Sequence, residues 1–127
     1  MAEEGLYNVR TGAYIFNDKK ELLLLRTPRG KWGIVGGHLE KGEDIEEGLR
    51  REVMEESGLK IDIIRLLKVF SKNNDVIILY LVRSIDSEVR ISHEHTDYAW
   101  VKIDVLSDYE LTYEEIKKDA EILVKEL

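Results

Sequence analysis

Between Gly37 and Leu59 the chain carries seven glutamates and one aspartate against three basic residues, a net of −5 out of −7 for all 127 residues. Carboxylates at this density are hard oxygen donors, and the chemistry they suit best is the capture of a divalent cation. The second half of the stretch reads as a helix: Asp44 with Glu47 has capping-box spacing, Ile45, Leu49 and Val53 recur every four residues, and Gly58 stands where a left-handed C-cap belongs. At roughly 100° per residue, with Glu52 at about 0°, Glu56 falls near 40° and Glu55 near −60°, while Ile45, Leu49 and Val53 fall near 20°, 60° and 100°. Three carboxylates therefore overlap the edge of the face that should be buried, whereas a solvating glutamate such as Glu47 lies opposite. Ionised carboxylates beside a low-dielectric surface repel one another and are costly to desolvate unless a cation joins them. Oxygen ligands point to Mg²⁺ first and Mn²⁺ second, and with no cysteine in the chain the soft-ligand metals have no thiolate partner.

The spacing is also a signature. Gly37, Glu43 and the run Arg51-Glu52-Val53-Met54-Glu55-Glu56-Ser57-Gly58-Leu59 fill every fixed position of G-x5-E-x7-R-E-U-x-E-E-x-G-U, where U is a bulky aliphatic. On these residues the stretch resembles the Nudix box of the Nudix hydrolase family. The resemblance implies an α/β fold, an α/β/α sandwich with a mixed β-sheet between helices and the box forming a loop-helix-loop. It implies Mg²⁺-dependent hydrolysis of a nucleoside diphosphate linked to another moiety, here a nucleoside triphosphate or a nucleoside diphosphate sugar. By the same resemblance Glu52, Glu55 and Glu56 are metal-site carboxylates, Glu52 being ligand or general base, and the carbonyl of Gly36 is a further ligand. Glu43 and Arg51 match the positions where an ion pair orients the site. Glu94 is the candidate for an additional carboxylate, base or ligand, supplied by a late loop. Arg10, Arg26 and Arg29, from the first strands and the loop before Trp32, are candidates to hold a substrate phosphate.

Two departures from the family pattern stand out. Val35 precedes Gly36-Gly37 where relatives commonly have proline. Downstream, Lys72 to Ile78 offers neither the proline that flags ADP-ribose pyrophosphatases nor the tyrosine that flags diadenosine polyphosphate hydrolases. Those substrates, ADP-ribose and dinucleoside polyphosphates, remain alternatives, as does a non-catalytic module that senses a nucleotide.

The elements that must position these residues read as follows. Residues 6–16 and 21–26 are rich in β-branched, aromatic and leucine side chains and flank the turn signal Asn17-Asp18-Lys19-Lys20, so a hairpin is expected. The four leucines of the second segment suggest burial on both faces. Trp32 to Val35 is a short strand delivering the chain to Gly36-Gly37, two glycines that let backbone approach a ligand closely. Residues 59–70 and 76–85 form an antiparallel pair across Lys72-Asn73-Asn74-Asp75. A short strand over 88–91, the polar loop 92–97 and a strand over 98–102 follow. The last helix opens with a capping box, Thr112 with Glu115, and a staple of Leu111 with Ile116, and its stripe is Ile116, Ala120, Leu123, Val124 and Leu127. Trp32 and Tyr14 are expected to serve core packing.

The chain, 1–127, is expected to form one domain with a single core. Met1-Ala2-Glu3-Glu4 lacks the basic region and apolar run of a signal peptide, and no apolar span suits a membrane, so a cytoplasmic protein is expected. A pI near 5.0 makes nucleic acid an unlikely partner and disfavours an anionic membrane, leaving a small nucleotide, with a homodimer left open.

Overall fold

The computed structural model describes residues 5–127; the expectation for Met1 to Glu4 lies outside them. Seven strands, β1 (Asn8–Phe16), β2 (Leu22–Arg26), β3 (Trp32–Gly33), β4 (Val35–His38), β5 (Ile61–Lys72), β6 (Asp75–Ser84) and β7 (Asp97–Val101), join two α-helices, α1 (Ile45–Ser57) and α2 (Glu115–Leu123). β1 is central: it runs parallel to β6 along its whole length and antiparallel to β4 over Arg10–Ala13. β5 closes one edge against β6, and β2 carries β7 and β3.

Alternation along β1 makes the layers. Ala13 and Ile15 pack toward α1 with Leu23, Leu25, Val35, Leu49 and Val53. Tyr14 and Phe16 pack toward α2 with Leu22, Leu24, Leu81, Ile116, Ala120 and Leu123. All four leucines from Leu22 to Leu25 are fully buried, as a strand covered on both faces requires. The fold is thus a mixed sheet between helices, the expected α/β/α arrangement. Among the described residues no helix is long and apolar enough to cross a membrane.

The Asp44 side chain accepts from the Glu46 and Glu47 amides at 3.2 and 3.4 Å, and Gly58 closes α1 at φ 72° with its amide donating to the Met54 carbonyl. Asp44→Ala is expected to lower stability by about 1 kcal/mol, the usual worth of an N-cap, measurable by urea denaturation.

Four local expectations need correction. The first hairpin pairs only at Phe16 with Leu22, because β1 gives that edge to β4 and β2 turns to β7. Residues 88–91 form no strand: the Arg90 amide donates to the Ser57 carbonyl at the end of α1, and Val89 and Ile91 pack on the core without a ladder partner. Ile45 is 38% exposed, so the buried stripe of α1 begins at Leu49. Thr112 does not cap α2, which starts from Glu114 with no side-chain cap; the Thr112 amide donates to the Trp32 carbonyl and its side chain lies against Gly33.

Candidate active site

Gly36 and Gly37 lie not in a loop but inside β4, paired with Gly12 and Thr11 of β1. A β-carbon on Gly36 would stand 2.3 Å from the Thr11 carbonyl oxygen and 2.9 Å from the Gly12 Cα; on Gly37 it would enter the Glu52 carboxylate, 2.3 to 2.7 Å from its three terminal atoms. Glycine is thus required here by close approach, and what approaches at Gly37 is a side chain of α1. The Gly36 amide also donates to Glu56 Oε1 at 3.3 Å. Two carboxylates from consecutive turns of α1 therefore flank the backbone of the glycine pair.

Glu56 is 8% exposed. Burial above all, then the nearby charges of Glu52, Glu94 and Glu55, lifts its carboxyl from 4.5 to about 7, against the lowering effect of the Gly36 amide. The influence of Glu94 brings the 92–97 loop into the same electrostatic neighbourhood as the box, although Glu94 itself is exposed and its amide is held by Ser92 Oγ. Beside it, His95 is partly buried with Nδ1 unpaired, and burial lowers its pKa.

Arg51 is the hub of the other half. Its Nε donates to Glu43 Oε2 at 2.6 Å and its Nη2 to Glu43 Oε1 at 3.0 Å, a two-pronged pair; Nη1 donates to Glu52 at 3.0 Å and Glu55 at 2.9 Å, and Nη2 also to the His38 carbonyl at 3.1 Å. The guanidinium is stabilised in its charged form by Glu43, and Glu43 is held below the usual carboxylate range by Arg51. The pairing of Glu43 with Arg51 was legible in the sequence; its extension to Glu52 and Glu55 was not.

Among the described residues no three acidic or histidine side chains converge closely enough to hold a metal ion as they stand, because Glu52 and Glu55 lean on Arg51. The donor set nevertheless fits a hard dication. Glu52 and Glu56 bring carboxylate oxygens against Gly37 and Gly36, and one guanidinium is little compensation for the carboxylates of Glu43, Glu52, Glu55 and Glu56. A consequence can be measured without activity. With EDTA present, the folded state binds the Glu56 proton more tightly than the unfolded chain. Its contribution to stability is therefore complete below pH 4.5 and is lost as pH rises through about 7, a change on the order of 3 kcal/mol. Denaturation at pH 5 and pH 8 is expected to show most of that fall, and Glu56→Gln to abolish it; equal slopes in both proteins would remove Glu56 from this role.

A cavity of about 420 Å³ opens on the α2 side of the sheet, with Gly36 in its lining. Arg10 lies in its wall, whereas Arg26 and Arg29 are not among its residues. The Arg26 side chain instead donates to Thr96 Oγ1 and lies near Gly30, and Arg29 is exposed. The Tyr14 ring is buried as expected, but its hydroxyl donates to Asp119 Oδ2 at 2.8 Å in the cavity wall, which sequence reasoning missed.

Residues 6–123 match the model of the NUDIX domain family. The nucleoside triphosphatase NudI of Escherichia coli is 37% identical over 97 residues, which cover 65% of this chain and 69% of that protein. Among solved structures, the MutT protein of Methanosarcina mazei Go1 superposes with a TM-score of 0.76 at 28% identity, over 97% of this chain and 96% of its own. A NUDIX-family hydrolase from Clostridium perfringens superposes with a TM-score of 0.85 at 18% identity, over 95% and 98%.

Proposed function

The chain belongs to the Nudix hydrolase family, whose members use a divalent metal, and on that premise we propose that it is a Mg²⁺-dependent pyrophosphohydrolase of nucleoside triphosphates. The observation that carries this reading is the placement of Glu56 and Glu52 against Gly36-Gly37, with Gly36 also in the lining of a cavity of about 420 Å³. The 37% identical relative is by name a nucleoside triphosphatase, which favours that substrate over a nucleoside diphosphate sugar, ADP-ribose or a dinucleoside polyphosphate.

Glu52, Glu55, Glu56 and the Gly36 carbonyl would hold the metal, Mg²⁺ or Mn²⁺. When bound, the metal supplies neutralisation of phosphate charge and a more acidic water. The protein's own residues do the rest. Arg51 fixes the carboxylates of Glu52 and Glu43, so that Glu52 is oriented before substrate arrives. Glu52 and Glu94 are the two carboxylates suited to take a proton from the attacking water, one from the helix and one from the 92–97 loop. Arg10, which shares the cavity wall with Gly36 and lies 3.9 Å from Asp75, would hold a phosphate. A complete set of box carboxylates argues against a module that only senses nucleotides, since each costs desolvation that binding alone does not require.

The test is a panel of nucleotides incubated with and without Mg²⁺, with products separated. Pyrophosphate and a nucleoside monophosphate are expected from a triphosphate only when Mg²⁺ or Mn²⁺ is present. Tight nucleotide binding without turnover in either condition would overturn the enzyme reading in favour of a sensor.

A further inference from the structure

Thr11 is 3% exposed and its hydroxyl is buried without a hydrogen-bond partner, and no step of the hydrolysis uses it. The ladders of β1 fix where that hydroxyl faces. Thr11 lies directly opposite Gly37 of β4 in antiparallel register and beside Ile78 of β6. Val9 and Ala13, two residues away on either side, share its face of the strand, and with Ile78 they pack in the apolar cluster under α1. Residues directly opposite across an antiparallel pair project to one side of the sheet, with β-carbons about 5 Å apart. The position that a β-carbon would take at Gly37 lies 2.3 Å from Glu52 Oε2. The Thr11 hydroxyl and the Glu52 carboxylate thus share a face on which the other ladder neighbours of Thr11 are apolar, and they do not hydrogen-bond as they stand. Arg51 Nη1 donates to the other oxygen, Oε1, at 3.0 Å, and Oε2 is the one nearer Gly37.

A buried hydroxyl with no acceptor has lost its water and gained nothing in exchange; valine has the same shape and would avoid that cost. Packing alone therefore does not account for a threonine at this position. Resting on the hydrolase reading above, we propose that Thr11 is a positioning residue for Glu52: in the loaded site its hydroxyl donates to Oε2 and fixes the orientation of that carboxylate. The last torsion of a glutamate is soft, so an anchor on one oxygen leaves the other free to swing, and a donor on each removes that freedom. Arg51, which also serves Glu43 and Glu55, reaches only Oε1 of Glu52. A hydrogen bond from the hydroxyl to an ionised oxygen is stronger than one between neutral partners. Stability is given up for orientation, a trade common at reaction sites.

The experiment measures thermal melts with EDTA, Mn²⁺ affinity by calorimetric titration, and kcat and KM for the nucleoside triphosphate hydrolysed fastest. The proteins compared are the wild type, Thr11→Val, Thr11→Ser, Glu52→Ala and the double variant of Thr11→Val with Glu52→Ala. Thr11→Val removes only the unpartnered group, so it is expected to melt no lower than the wild type and yet to lower kcat about 10- to 100-fold with KM little changed, the range for a group that orients a metal-site residue. Thr11→Ser keeps the hydroxyl and loses a methyl, so it should melt lower and recover most of the rate. On Glu52→Ala, the further change Thr11→Val should cost less than about twofold, because the group it acts through is gone. A wild-type kcat in Thr11→Val, a Thr11→Val that melts below the wild type, a Thr11→Ser as slow as Thr11→Val, or an undiminished loss on Glu52→Ala would each overturn the proposal and leave the hydrolase reading standing. If the wild type hydrolyses no nucleotide, that reading fails instead, and the Mn²⁺ titration decides this one. Affinity lowered in Thr11→Val and restored in Thr11→Ser would sustain it; equal affinities, or no Mn²⁺ binding by the wild type, would end it.

Discussion

Glu55→Gln is expected to cut turnover on the order of 10²- to 10³-fold, the range typical of removing one electrostatic element from a reaction site, while leaving the fold intact. The side chain is more than half exposed and touches only Arg51, whose Nη1 can donate to the glutamine oxygen as it does to the carboxylate. Stability should change by less than about 0.5 kcal/mol. What the substitution removes is one negative charge among the box carboxylates, so the loss should be accompanied by a higher Mg²⁺ requirement. Glu47→Gln, on the solvent side of the same helix and equally a loss of one charge, is the control and should retain wild-type rates. Wild-type turnover and an unchanged Mg²⁺ dependence in Glu55→Gln would take Glu55 out of the metal site.

Gly36→Ala and Gly37→Ala should separate stability from activity, although they are neighbours. At Gly36 the new methyl would meet backbone, the Thr11 carbonyl at 2.3 Å and the Gly12 Cα at 2.9 Å, and backbone inside a paired strand can yield only by parting β4 from β1. A cost of about 2–3 kcal/mol is expected, a large share of what a domain this size has. At Gly37 the three atoms nearest the methyl are the end of the Glu52 side chain, which can swing aside. Gly37→Ala should melt within a few degrees of the wild type and yet lose most of its activity, because Glu52 is displaced from the glycine pair. Thermal melts with rates on one nucleotide check both; a fully active Gly37→Ala would show that Glu52's present position is not needed.

Helix α1 shows how far periodicity carries. Placing Glu52, Glu55 and Glu56 at the margin of the buried face singled out the candidate site, and burial follows the angles: Glu56, near 40° and within the apolar arc, is buried, while Glu55, near −60°, is left in solvent. The same angular test applied to α2 would have flagged Asp119, which sits about 60° from Ile116 and beside Leu123 on the apolar stripe. The expected cap at Thr112 and strand at 88–91 failed for a different reason. Both segments have the composition for their assignments, but their backbone groups found partners in Trp32 and Ser57, far along the chain. Local pattern cannot show such competition.

The chain order alone determined the candidate reacting groups, since the motif's identities and helical spacing depend on neighbours three and four residues apart. It also determined the layers, through the two-residue and four-residue alternation of apolar side chains. Only the tertiary structure decided that Gly36 and Gly37 pair inside a strand against Glu56 and Glu52, that Arg51 spans Glu43, Glu52 and Glu55, and that Tyr14 and Lys68 meet Asp119 across 105 and 51 residues of sequence. Burial and hydrogen bonding between distant segments are set by strand register, and register is fixed by the packing of the whole sheet against both helices.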